Sequence, residues 1–114
     1  MTPSADRAAP LPSEPNRARS VGIVDIDDWT QRFDLLSDPH RLAILLCLHR
    51  DPGICVGDLA ADIGRSENSV SQALRVLRQQ KWVASSRNGR QVYYRLADDV
   101  IHELLHWIGA EHWH

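Results

Sequence analysis

The stretch from Ser66 to Leu96 constrains the fold of this chain most strongly, because it joins a capped helix to a tight hairpin. It reads SENSVSQALRVLRQQ and then KWVASSRNGRQVYYRL. Ser66 is a typical helix N-cap, and Asn88-Gly89 between alternating strands is the strongest short-range signal for a two-residue hairpin loop. The stretch therefore predicts one helix followed at once by one β-hairpin.

Positive charge is concentrated in the same stretch. Between Arg65 and Arg95 the sequence has seven Lys or Arg residues and one acid, Glu67, which gives +6 in a chain of formal net charge −2. The rest of the chain therefore carries a charge of −8. A basic helix and hairpin in an otherwise acidic protein indicate a docking surface for a polyanion.

Length and composition set the class of protein. A chain of 114 residues suits one domain with a modest core. No apolar run approaches the ~18 residues of a membrane span, and no secretory signal is visible. Two cysteines make no disulfide framework, which favours a reducing, cytoplasmic setting. We expect residues 1–22, with four prolines, to form a disordered arm and residues 23–114 to form the folded domain.

Apolar residues at helical spacing predict further helices on both sides of the basic stretch. Asp38-Pro39 supplies an N-cap and a first-turn proline for a helix that is apolar almost all round, so this helix should be the buried centre. Asp51-Pro52-Gly53 ends it. The helices are expected at about residues 25–36, 40–49, 56–63, 67–80 and 98–111.

The outer face of the helix that follows Ser66 has the chemistry of a DNA reader. It carries amides, hydroxyls and guanidinium groups, which hydrogen-bond base edges and phosphates. An ordinary solvated helix face mixes Glu with Lys, and acids are nearly absent here. Basic residues also flank the hairpin tip, within reach of a phosphate or the minor groove. The predicted DNA contacts are Asn68, Ser69, Ser71, Gln72, Arg75, Arg78, Arg87 and Arg90.

The order of elements predicts a mainly α fold, a winged helix-turn-helix of about five helices with a two-stranded β-hairpin wing. Four segments resemble the ArsR/SmtB family of bacterial repressors: SDPHRL (37–42), ICVGDLA (54–60), SVSQALRVLR (69–78) and GRQVYYRL (89–96). The resemblance implies a homodimer on double-stranded, palindromic operator DNA that is released by an inducer, often a metal ion. It also implies that the terminal helices form the dimer interface. Relatives commonly carry His next to the position of Gln72 or Ala73, and this helix has none.

The last helix is rich in histidine, and three interpretations stay open. By resemblance, a family metal site across the dimer would fall on Asp98, Val100, Glu111 and His114, but valine binds no metal. The segment 102–112 spells HExxHxxGxxH, which resembles metzincin zinc proteases, yet Met1 is the only methionine and no Met-turn can follow. Thirdly, the histidines can simply be solvated near a helix C-terminus. The candidate ligands are Asp98, His102, His106, Glu111, His112 and His114, a set that favours Zn, Ni or Co as inducer.

The cysteines suggest a different sensor. By resemblance, Cys55 and Asp58 match two ligands of another family metal site, whose remaining ligands come from an arm that here lacks both Cys and His. Cys47 matches a reactive cysteine of persulfide-sensing relatives, whose partner in the last helix is missing.

Taken together, these features predict a DNA-binding repressor and metal sensor, not an enzyme. The alternatives are a thiol-responsive or other non-metal-responsive repressor and, from another class, a small zinc hydrolase.

Overall fold

The computed structural model describes residues 20–22 and 24–110. Most of the expected N-terminal arm lies outside the described residues, as do Glu111, His112 and His114, so the predicted division of the chain at residue 22 stays a prediction. The chain separates into two compact units, residues 1–37 and 38–114, and each is described by itself. Within the described ranges, no helix combines the length and apolar character that crossing a membrane requires.

The described part of the first unit consists of a small ribbon and one helix. Strand β1, Ser20–Val21, pairs antiparallel with strand β2, Val24–Asp25, and helix α1 follows as Ile26–Leu36. Asp25 caps α1, because its carboxylate accepts a hydrogen bond of 3.1 Å from the backbone N–H of Asp28. The helix agrees with its predicted range. The ribbon was not predicted, since two-residue strands are too short to show an alternating pattern.

The second unit follows the predicted order of elements. Three of its helices begin at a side-chain cap: Asp38, Ser66 and Asp98 each accept a 3.0 Å hydrogen bond from the backbone N–H three residues further on. The described elements are α2 (Pro39–Arg50), β3 (Ile54–Cys55), α3 (Val56–Ile63), α4 (Glu67–Gln79), β4 (Val83–Asn88), β5 (Gln91–Leu96) and α5 (Asp99–Leu105), which continues as a π-helical turn (His106–Ala110).

The core of the second unit lies around α2, which contacts α3, α4, α5 and β5. As predicted, α2 is a central helix, and one face of α4 is buried against its neighbours. Fully burying a large apolar side chain stabilises the fold by about 1.5–3 kcal/mol. The buried apolar residues are Ile44, Leu45, Leu48, Leu59, Ala60, Val70, Ala73, Leu74, Leu77, Trp82, Val83, Ile101 and Leu105.

The wing, β4 with β5 and the turn between them, differs from the prediction in its loop. Asn88 pairs with Gln91, so the two-residue loop is Gly89-Arg90 and not Asn88-Gly89. Gly89 has φ +67°, and a positive φ at the first loop position is the arrangement that glycine permits in a type II′ hairpin. The register therefore places Arg90 in the loop itself.

The sheet also has a third strand that the sequence did not indicate. Strand β3 pairs antiparallel with β5, with Ile54 opposite Tyr94 and Cys55 opposite Tyr93, in the order β3-β5-β4. Since β3 leads directly into α3, this pairing ties the base of the wing to the start of the helix-turn-helix.

The end of the chain departs most from the expected single helix over residues 98–111. Helix α5 ends at Leu105 and gives way to the π-helical turn, in which Gly109 has φ +142°. That backbone conformation cannot continue a helix, and glycine is the residue that tolerates it. Leu105 is fully buried, whereas Trp107 is 72% exposed.

Candidate nucleic-acid interface

Helix α4 presents the predicted polar side chains to solvent. Its apolar residues fill the core on the opposite face, so the polar side chains cannot turn inward. The exposed residues of α4 that the sequence singled out are Asn68, Ser71, Gln72, Arg75 and Arg78. Together with Arg87 and Arg90 at the wing tip, both also exposed, they form the surface called here the docking face.

The arginines of the docking face carry charge that no carboxylate of the described residues neutralises. Within the described part of the chain, Arg75, Arg78, Arg87 and Arg90 have no Asp or Glu within ion-pair distance. By contrast, Arg50 contacts Asp51 at 3.2 Å and Asp62 at 3.4 Å. The docking face is therefore an exposed concentration of positive charge, as a phosphate-binding surface requires.

An open groove runs between α4 and the wing. Arg75 and Arg78 line the groove on the side of α4, and β4 forms the other side. A phosphate group in this groove would meet guanidinium groups that donate hydrogen bonds in a planar fork. The lining residues are Arg75, Arg78, Gln79, Val83, Ala84 and Ser85.

Ser69, also a predicted DNA contact, is turned partly away from solvent. Its Oγ lies 3.2 Å and its carbonyl oxygen 3.4 Å from Nε2 of His40, at the start of α2. A carbonyl oxygen can only accept a hydrogen bond. The tautomer of His40 that carries its proton on Nε2 can therefore donate a hydrogen bond to Ser69. Sequence reasoning missed this contact between α2 and the first turn of α4, because 29 positions separate the residues. Ser69 thus has a positioning partner, and its contact with DNA stays a prediction.

A second group of side chains lies between α2 and the last helix, and is called here the histidine cluster: His49, His102 and His106. The ring centroids of His49 and His102 are 4.7 Å apart, and those of His49 and His106 are 5.9 Å apart. His49 was not among the predicted ligands, because nothing in the local pattern of α2 indicates which later residues it meets.

The remaining metal candidates are not brought together in the part of the chain that is described. No three His, Cys, Asp or Glu side chains there are placed as a complete metal site. Asp98 uses one carboxylate oxygen to cap α5, accepting from the N–H of Ile101. Glu111, His112 and His114 lie outside the described residues.

The two cysteines are both free thiols. Sγ of Cys47 lies 3.8 Å from Nη2 of Arg50, but desolvation by burial outweighs this cation and raises the pKa of the Cys47 thiol above its ordinary value. A raised pKa keeps the thiol protonated near neutrality and makes it a poor nucleophile. Cys55 holds the N-cap position of α3 without a side-chain cap hydrogen bond, and Asp58 in the first turn of α3 is exposed.

Comparison with known proteins places this architecture. Residues 36–81 match a family model described as a helix-turn-helix domain. The chain is 45% identical over 80 residues to a transcriptional repressor SmtB homolog from Synechocystis sp., a region that covers 70% of this chain and 59% of that protein. It is 36% identical over 103 residues to the HTH-type transcriptional repressor SmtB of Mycobacterium tuberculosis, covering 90% of this chain and 70% of that one.

A solved structure shows the same fold. The homodimeric winged helix-turn-helix DNA-binding domain of a possible ArsR-family regulator from Mycobacterium bovis superposes with a TM-score of 0.64 at 25% identity, covering 73% of this chain and 76% of that chain. The predicted winged-helix fold is thereby confirmed, and these relatives are regulators rather than enzymes. The chain belongs to the ArsR/SmtB family of winged helix-turn-helix transcriptional repressors.

Proposed function

We propose that this protein is a cytoplasmic homodimeric repressor that binds a palindromic operator and releases it when an inducer binds. The observation that carries the proposal is the docking face, whose polar α4 side chains and four arginines are all exposed, the arginines having no carboxylate partners in the described chain. Such a surface suits double-stranded DNA, because phosphates contribute affinity and base edges contribute specificity.

The shape of the docking face fits the major groove. An α-helix with its side chains is about 10–12 Å across, and the major groove of B-DNA is about 12 Å wide. Gln72 and Asn68 carry amides that can pair with adenine, and Arg75 can pair with guanine. Arg78 beside the groove and the two wing arginines are then placed for the sugar-phosphate backbone or the minor groove.

A second copy of the chain gives the arrangement its symmetry. The last helix and its π-helical turn leave three large apolar side chains in solvent: Val100 is 44% exposed, Ile108 52% and Trp107 72%. Apolar surface of this kind favours a protein partner. A two-fold dimer would present two docking faces about 34–36 Å apart, one turn of DNA, to a palindromic site.

The proposed inducer is a transition-metal ion held by histidines of the last helix. The donor set of the family's cross-dimer site does not fit this chain, because Val100 stands where a ligand is needed and Asp98 is used as a cap. His102 and His106 are exposed imidazoles that suit Zn, Ni or Co. A bound ion alters operator affinity only if it favours one dimer conformation, an effect that is typically about 1–3 kcal/mol.

The test is operator binding by docking-face variants. Binding is measured by fluorescence anisotropy of labelled DNA, with the protein's own promoter DNA and with scrambled DNA. Arg75→Ala and Gln72→Ala should each weaken specific binding by about 1–3 kcal/mol, the value of a good bidentate base contact. Arg50→Ala is the matched control, since it removes the same charge from a site already neutralised by two aspartates. Unchanged operator affinity in both docking-face variants would show that DNA binds elsewhere on the protein, and no binding of either DNA by the unmutated protein would refute the proposal.

A further inference from the structure

We propose that His40 is a positioning residue for operator recognition, which holds the first turn of α4 through Ser69 so that the amide side chains of α4 meet base edges. Ser69 then acts through the orientation of α4 and does not itself touch DNA. The inference rests on the proposed function, since it names a residue outside the docking face on which specific binding depends.

The contact joins two helices near their N-terminal ends. Nε2 of His40 lies 3.2 Å from Oγ and 3.4 Å from the carbonyl oxygen of Ser69. A carbonyl oxygen inside a helix accepts a hydrogen bond from the N–H four residues later, and its second lone pair can accept another. The two oxygens of Ser69 can therefore share one imidazole N–H without disturbing the hydrogen bonds of α4.

The other ring nitrogen of His40 determines the direction of this hydrogen bond. Nδ1 is buried and has no hydrogen-bond partner among the described residues. A proton on Nδ1 would be a buried donor without an acceptor, and buried unpaired N–H groups are rarer than buried unpaired acceptors. A proton on Nε2 meets two oxygens instead, so His40 is the donor and Ser69 the acceptor.

Both ends of the contact lie on well-anchored turns. Asp38 caps α2 by accepting a 3.0 Å hydrogen bond from the backbone N–H three residues further on, and Pro39 restricts the backbone of the first turn. His40 follows directly. In α4, Val70 follows Ser69 and is fully buried. The contact therefore ties a fixed turn of α2 to the point at which α4 leaves the edge of the core.

The position of this turn matters most for the side chains that read bases. Asn68 precedes Ser69 and Gln72 comes three residues after it, and both amides are exposed. Pairing of an amide with adenine needs two aligned hydrogen bonds, which weaken steeply when the angle between donor and acceptor is poor. Arginine–phosphate contacts are mainly electrostatic and tolerate a shifted helix better. Loss of the His40 contact should therefore lower specificity more than it lowers general affinity for DNA.

The experiment compares His40→Leu with His40→Gln by anisotropy of labelled operator and scrambled DNA. Leucine has no donor, whereas the side-chain amide of glutamine can still donate to Ser69. We expect His40→Leu to weaken operator binding about 10-fold, within the value of one bidentate base contact, and to leave scrambled DNA binding unchanged. His40→Gln should restore most of the operator affinity. His49→Gln is the control, since its ring contacts lie at the other end of α2.

A double-mutant cycle separates positioning from direct contact with DNA. If Ser69 acts through His40, Ser69→Ala weakens operator binding in the unmutated background and adds nothing to His40→Leu. Additive losses would overturn the proposal, because Ser69 would then contact DNA itself. Equal losses on operator and scrambled DNA, or no loss in His40→Leu, would overturn it as well.

Two further measurements keep this inference separate from the proposed function. If Arg75→Ala weakens operator binding and His40→Leu does not, the docking face stands and only the positioning role is wrong; no effect of Arg75→Ala counts against the docking face. The ¹⁵N shifts of the His40 ring in the DNA-free protein should show the proton on Nε2, and a proton on Nδ1 would contradict the proposal. Circular dichroism checks the fold, and Ser69→Ala with the ring shifts decides the matter if His40→Leu unfolds.

Discussion

The wing arginines give the most quantitative prediction about DNA binding. Arg90 lies in the two-residue loop and Arg87 lies opposite Val92 in the adjoining strand pair, both exposed and without a carboxylate partner in the described chain. If they contact phosphates, their loss should weaken binding to all sequences alike. It should also make binding less sensitive to salt, because each phosphate contact releases condensed counterions.

The magnitude follows from the number of contacts. A dimer carries each arginine twice, so Arg90→Ala removes two phosphate contacts. At about 0.9 per contact, the absolute slope of log K against log salt concentration should fall by about 1.8. The double variant Arg87→Ala/Arg90→Ala should lower the slope by about 3.6. When salt rises from about 50 to about 200 mM, the double variant should therefore lose about 100-fold less affinity for DNA than the unmutated protein does.

The assay is anisotropy of labelled operator and of scrambled DNA across this salt range. Arg50→Ala serves again as the control, since its guanidinium is already paired with Asp51 and Asp62. A slope in the double variant equal to that of the unmutated protein would show that the wing arginines do not contact the DNA backbone. A slope lowered only on operator DNA would mean that the wing reads sequence instead.

Two further predictions concern stability and thiol chemistry. Ser66→Ala should lower the free energy of unfolding by about 1 kcal/mol, because it removes the cap of α4, whereas the exposed Ser71→Ala should not; urea denaturation measures both. Because burial raises the pKa of the Cys47 thiol, the native thiol ionises at higher pH than the unfolded one. Stability should therefore fall as pH rises past the unfolded thiol's ordinary pKa, a loss that is absent in Cys47→Ala; equal pH dependence of the two proteins would contradict this.

The helices and the docking face could be predicted because their signals are local. Caps such as Ser66 and Asp38 act within three residues, and the apolar spacing of α4 determines which of its side chains turn inward. The polar side chains on the other face follow from the same periodicity. The third strand and the loop register could not be predicted this way, because both depend on which backbone groups pair across the sheet. The observed register differs by one residue from the expected one, so the loop is Gly89-Arg90 and not Asn88-Gly89.

The histidine cluster separates most clearly what each level of organisation determined. The spacing along the chain is enough to place His102 and His106 on one helix face, since four residues make about one turn. The contact of both rings with His49, which lies more than 50 positions earlier in the chain, depends on how the helices pack against each other. Helix geometry determines which side chains are neighbours along one helix. Which other helix lies against them depends on the packing of the buried residues, among them Ile44, Leu45, Leu48, Ile101 and Leu105.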